Sequence, residues 1–209
     1  MKMRSITILL CCLLPYGAVA TPPLPPLLLQ SLHRLNNMQG FSAQFTQTIT
    51  YHNGTATHYS GTIAVARPGK FRWQYIKPYS QTYVSDGKEI WHYEPDLMQA
   101  VRMDELSSID PIAIQLLDGR ITAKELTLIS QESSRESHRE RFTVRIRNEI
   151  TVMLTLDQYG TLQSITHTDL LGNQNHIALA NTISAQQDEA EFHFTPPRGV
   201  DIVIEGEQP

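Results

Sequence analysis

FSAQFTQTITYHNG, residues 41–54, decides the fold. Phe41, Ala43, Phe45, Ile49 and Tyr51 alternate with Ser42, Gln44, Thr46, Thr48 and Thr50. A period of two sends successive side chains to opposite faces of a strand, so one face is apolar and one polar. Asn53-Gly54 ends the run with the strongest short hairpin signal, because both positions of the tight turn need a positive φ. The reading is an antiparallel hairpin, and the sequence on either side extends it.

Downstream, Tyr59, Ile63 and Val65 form a second strand, and Arg67-Pro68-Gly69-Lys70 turns the chain. Phe71, Trp73 and Tyr75 alternate in a third. Turns at Lys77-Pro78, Ser85–Lys88 and Glu94–Asp96 separate further strands around Thr82–Val84, Ile90–Tyr93 and Met98–Met103. A helix then interrupts: Asp110 is placed as its N-cap, Pro111 at its first position and Gly119 just past its end, with Ile112 and Leu116 on one face. Strands resume at Leu126–Ile129, Phe142–Ile146, Ile150–Leu156, Leu162–Thr168, Ile177–Leu179 and Glu191–Phe194, the last broken by Pro196-Pro197. The polar stretch Gln131–Glu140 reads as a loop.

Upstream, Leu28, Leu32, Leu35 and Met38 recur at helical spacing and end near Gly40, after a stiff Pro-rich lead-in at Thr21–Pro26. Before that, Lys2 and Arg4 precede an apolar run from Ile6 to Leu14 and the small-residue triplet Ala18-Val19-Ala20. A basic start, a short apolar centre and an A-x-A end read as a secretory signal cleaved after Ala20. The run is too short to span a bilayer as a helix. The expected organisation is therefore a signal over residues 1–20 and a single domain over 21–209. Roughly ten strands form one meander, and the two helices cover the open side of a curled sheet, whose apolar face must be covered or closed.

Composition narrows the function. The 209 residues are 41% hydrophobic and 18% charged, with a net charge of −4, which argues against a general nucleic-acid binder. The only cysteines, Cys11 and Cys12, leave with the signal, so the remaining chain holds its fold by burial. Residues 21–102 carry seven basic and four acidic groups, and residues 103–209 carry eight and seventeen. That acidic end reads either as a solvated surface or as a docking patch. The eight histidines form no H-x-H pair and no H-E-x-x-H motif, and there is no G-x-S-x-G elbow and no phosphate-binding loop. No metal, no cofactor and no enzyme is expected; a binding module is the better class. An apolar cavity lined by Phe41, Phe45, Trp73, Tyr75, Leu28, Leu32, Ile112 and Leu116 would suit a hydrophobic ligand, although taken singly each of these residues reads first as plain core.

The run RPGKFRWQYIKPYSQTYVSDGKEIWHYEPDLMQAV at 67–101 is more specific. With LNNMQGFSAQFTQT at 35–48, SSIDPIAIQLLDG at 107–119 and EFHFTPPRGVDI at 191–202, it resembles the periplasmic outer-membrane lipoprotein carrier family, LolA. The resemblance implies an incomplete, unclosed antiparallel barrel with a helical lid over a hydrophobic cavity. It implies a periplasmic carrier that takes acylated lipoproteins from an inner-membrane ABC-type releasing complex and passes them, as a monomer, to an outer-membrane acceptor. It places on Arg67 a latch to the backbone of the lid helices, and on Phe71 a part in one-way transfer. The chain departs from the family at its Pro-rich lead-in and at Lys70. Two other readings keep the fold: a carrier of a different lipid or acylated product, and a periplasmic regulator that senses lipoproteins.

Overall fold

The computed structural model describes residues 23–104, 110–134 and 136–206; the signal read at residues 1–20 lies outside them. The chain opens on helix α1 (Pro26–Asn37), with Pro26 in its first turn. The proline lead-in therefore starts the helix, because a first-turn residue needs no N–H and proline's φ is already helical. Leu28, Ser31 and Leu32 are its buried side.

Six strands follow: β1 (Gly40–Thr50), β2 (Ala56–Ala66), β3 (Lys70–Lys77), β4 (Gln81–Asp86), β5 (Ile90–Glu94) and β6 (Gln99–Met103). Helix α2 (Pro111–Leu117) comes next, then β7 (Leu126–Ser134), β8 (Arg139–Ile146), β9 (Ile150–Asp157), β10 (Leu162–Thr168), β11 (Gln174–Ser184) and β12 (Asp201–Ile204). The described strands make one sheet in the order β12-β6-β5-β4-β3-β2-β1-β11-β10-β9-β8-β7. It is not closed: β12 and β7 are its edges. Strand β1 is the seam, with β2 on one side (Phe45 opposite Gly61) and β11 on the other (Phe45 opposite Leu179).

Three expectations need correction. Residues 131–134 and 139–140 are not loop; they lengthen β7 and β8 into a hairpin in which Glu132 faces Arg141. Their side chains are polar because this is a sheet edge, where charge deters further pairing. Glu191–Phe194 is not a strand. Residues Glu189–Phe192 form a short 3-10 turn whose Asp188 accepts from the Ala190 N–H, and the last strand lies later, at β12. That strand pairs parallel to β6, so the sheet is not wholly antiparallel.

The inward positions alternate as expected: Phe41, Ala43 and Phe45; Ile63 and Val65; Phe71, Trp73 and Tyr75; Phe142, Val144 and Ile146; Val152, Leu154 and Leu156. Together with Leu28 and Leu32 of α1 and Ile112, Ala113 and Leu116 of α2 they form one continuous core. Both helices thus pack on the same apolar sheet face. On the opposite face the acidic segment at 188–191 lies over β3: Glu189 pairs with Lys70, and the Arg72 guanidinium donates to the Glu191 carbonyl. The ring of Phe194 rests against Trp91 and Tyr93, with centroids 5.7 and 5.4 Å away. Part of the acidic excess is therefore a local partner for the basic outer face of β3, and Lys70 holds one end of it.

Two tests arise here. A Cβ added at Gly61 would sit 1.8 Å from the Gln74 carbonyl oxygen and 3.0 Å from the Phe45 ring. Gly61→Ala is expected to lower the urea midpoint, by an overpacking cost of about 1–3 kcal/mol. The second concerns Glu125. Hydrogen bonds from the Thr122 N–H, the Arg147 guanidinium and the Thr122 hydroxyl hold its carboxyl down to about 2. A depressed carboxylate contributes stability above its unfolded pKa and loses it as pH falls through the folded one. The stability gap between wild type and Glu125→Gln is thus expected to be full above pH 5 and to vanish toward pH 2 in urea titrations.

Candidate functional site

Arg67 follows β2, and its guanidinium reaches across to both helices. Nη1 donates to the carbonyls of Leu35 and of Met38, the latter at 3.0 Å, and Nη2 donates to Leu117 O at 2.7 Å. The last carbonyls of a helix have no partner inside it, so one planar cation with several fixed donors can satisfy both helix ends together. The C-terminal end of each helix dipole also favours a cation. Burial pulls the pKa of this guanidinium down from its ordinary value, and neighbouring Asp118 opposes that shift.

The surroundings are shaped to admit the arginine. Gly119 has φ +70°, and a Cβ there would lie 2.8 Å from the Arg67 Cζ. Glycine is thus required both for the helix-ending conformation and for the close approach. Asp118, next to it, accepts from the Gly69 N–H at 3.1 Å and pairs with Arg120. The turn after β2 and the end of α2 are therefore tied at several points.

Phe71 lies one residue into β3, buried, with Val65 and Ser85 opposite it. All eight residues expected to line a cavity, Phe41, Phe45, Trp73, Tyr75, Leu28, Leu32, Ile112 and Leu116, are buried in the common core. Phe45 packs against Trp73 at 5.0 Å and edge-on against Tyr75 at 5.1 Å. The apolar pocket beneath α1, between Leu35, Met38, Phe41, Leu117, Leu162 and Leu179, has a volume of about 30 Å³, room for about two water molecules. In this arrangement the aromatic side chains fill the space they were expected to surround.

Asp110 caps α2 as expected, with Oδ1 accepting from the Ile112 and Ala113 N–H groups. Its other oxygen does something the sequence did not announce. Oδ2 accepts from Asn175 Nδ2 at 2.9 Å and lies 3.3 Å from His167 Nδ1. Asn175 in turn accepts from Gln47 Nε2 at 2.9 Å, and Gln47 Oε1 accepts from the Tyr75 hydroxyl at 2.8 Å. Burial raises the pKa of the Tyr75 phenol, and Tyr83 and Tyr59 add to the shift. The histidines do not converge: His33 meets Asn37, His92 stacks on Tyr83, and His176 meets Thr166.

The chain as a whole is similar to known proteins. The family described as outer membrane lipoprotein carrier protein LolA matches residues 36–195. An outer-membrane lipoprotein carrier protein of Neisseria meningitidis serogroup B is 30% identical over 171 residues, spanning 80% of this chain and 82% of its own. One from Chromobacterium violaceum is 32% identical over 166 residues, 78% of this chain and 80% of its own. Among solved structures, an uncharacterized conserved protein of Thermus thermophilus superposes with a TM-score of 0.55 at 14% identity, over 85% of this chain and 97% of its own. That likeness speaks to the fold alone. The match from the end of α1 to the 3-10 turn before β12, with relatives this similar over four fifths of the chain, places the chain in the outer membrane lipoprotein carrier protein LolA family.

Proposed function

We propose that this protein is a periplasmic chaperone that shields the acyl chains of lipoproteins released from the inner membrane and delivers them to an outer-membrane acceptor. The observation that carries the reading is the clamp of Arg67 on the carbonyls of Leu35, Met38 and Leu117, which holds α1 and α2 together over the apolar sheet face. Exposing each CH₂ to water costs about 0.8 kcal/mol, so a chain of about sixteen carbons left bare costs on the order of 10 kcal/mol. Crossing an aqueous compartment needs a container.

In this structure the container is closed. With the pocket beneath α1 at about 30 Å³, acyl chains enter only if the helices move off the sheet and Arg67 releases them. The helices are then a lid, Arg67 is its latch, and the aromatic and aliphatic core becomes the cavity wall. The chain offers no nucleotide-binding loop, so loading energy comes from an inner-membrane partner, an ABC-type releasing complex, and cargo then moves downhill to its acceptor. Phe71, buried beneath the turn that carries Arg67, takes the part in one-way transfer. The domain runs from residue 21, after removal of the signal, and acts as a monomer without catalysis.

The test is to isolate the mature protein from the cell envelope, with Arg67→Leu as a trap, and to identify bound molecules by mass spectrometry. Acylated lipoproteins are the expected finding. A different lipid would point to the specialised-cargo reading, and no acylated species from repeated trapping would sink the carrier reading.

A further inference from the structure

Four polar side chains face inward at one end of an otherwise apolar interior. Each continues the inward alternation of its strand: Gln47 after Phe45 on β1, Tyr75 after Trp73 on β3, His167 after Ile165 on β10 and Asn175 before Ile177 on β11. Gln47 and Tyr75 are buried, and Asn175 and His167 are partly buried. Their hydrogen bonds run from Tyr75 to Gln47 to Asn175 and end on Asp110, which also meets His167. His167 Nδ1 lies 3.3 Å from Asp110 Oδ2, within reach of the carboxylate.

Asp110 differs from the other four because it belongs to α2, whose first N–H groups its second oxygen holds. When α2 lifts, Asp110 leaves with it. Asn175 Nδ2 then loses its acceptor, and His167 Nδ1 its neighbouring carboxylate, while both still face the interior. A donor left unpaired beside hydrocarbon is costly, so an occupant that brings an acceptor is favoured over one that does not. Gln47 keeps its hold on Asn175 Oδ1, which leaves the Asn175 N–H aimed at the vacated place. The interior thus has donors to spare and needs acceptors.

The geometry points to a head-linkage subsite: Asn175 and His167, released by Asp110, donate to the ester or amide carbonyl oxygens that join the acyl chains to the rest of the cargo. This rests on the carrier reading above. Carbonyls of that kind accept and never donate, which is the complement of what the opened interior offers. The subsite would seat the polar end of the cargo at one rim and run its chains over the apolar wall.

The experiment compares two fluorescent peptides with the same alkyl length, one bearing ester-linked hexadecanoyl chains on its cysteine and one bearing ether-linked hexadecyl chains. The mature wild-type protein is expected to bind the ester peptide about tenfold more tightly, as loss of one such hydrogen bond implies. In Asn175→Val, and separately in His167→Phe, that ratio is expected to fall to within about twofold of unity. The ratio does not depend on the fraction of variant that folds, and the two substitutions lie on different strands. Equal binding of both peptides by wild type, or a ratio unchanged in both variants, overturns the subsite and leaves the carrier reading standing. Binding of neither peptide by wild type overturns the carrier reading itself.

Discussion

Replacing Arg67 with leucine is expected to lower stability by about 2–4 kcal/mol, because charge-assisted hydrogen bonds to buried carbonyls are each worth more than neutral ones and do not add fully. The carbonyls of Leu35, Met38 and Leu117 all lose the Arg67 donor at once, and Leu35 keeps only the Met38 N–H, at 3.3 Å. The same variant is expected to bind an apolar dye that wild type excludes, since nothing else described spans the ends of both helices. Arg67→Lys should fall between the two, because an ammonium on a flexible stem cannot present the planar fork that reaches three carbonyls. Urea unfolding measures the first effect and dye fluorescence under native conditions the second. A stable variant that still excludes the dye would show that the helices are held by packing alone and that Arg67 is not a latch.

Trp73→Ala carries the largest expected loss of stability, about 3–5 kcal/mol, from lost burial plus an unfilled cavity. The indole is fully buried, with the rings of Phe45 at 5.0 Å and Tyr75 at 6.4 Å. In this protein the substitution has a second consequence. If the core is a cavity wall folded in on itself, the space left by the indole enlarges a binding site and does more than weaken packing. The variant should therefore take up small apolar molecules with the helices still in place, as engineered apolar cavities do. Denaturant titration with and without a small aromatic ligand reads both effects. A loss under about 1 kcal/mol would show that the site collapses around the gap.

What was legible in the sequence was local. Asp110, Pro111 and Gly119 announce α2 because a cap and a left-handed stop each act within one turn, and the structure has Asp110 accepting from Ile112 and Ala113. The alternation of Phe41, Ala43 and Phe45, or of Phe71, Trp73 and Tyr75, names the inner face because pleating allows no other assignment. The outer end of the β7–β8 hairpin was missed since its exposed residues lack an apolar partner face, and periodicity is blind to a stretch of strand that buries little. Phe192 and Phe194 imitate a strand, but Asp188 caps a 3-10 turn there instead.

The polar cluster was harder still. Gln47 and Asn175 lie 128 residues apart and Asn175 and Asp110 65 apart, so no window of sequence contains the pair that matters. Gln47 carries one faint signal, a polar residue at an inward position of β1, where the alternation calls for an apolar one. The cavity expectation had a different obstacle. Apolar residues at inward positions read the same whether they pack on each other or on a ligand.

The seam at β1 bears on how the chain comes to be folded at all. Strands β1 to β6 pair with sequence neighbours, as do β7 to β11, so each half of the sheet forms by short loop closures. Joining the halves requires β11, complete only at Ser184, to find β1, which begins at Gly40. Such a distant pairing is slow compared with hairpin formation, since a long loop must close before the contact repays it. Until it does, the inner faces of both halves and the edges of β1 and β11 stand open to water and to other chains. The chain therefore passes through a stage in which it exposes the same kind of surface that its proposed cargo needs hidden, and its own assembly is the first occasion on which α1 and α2 cover that surface.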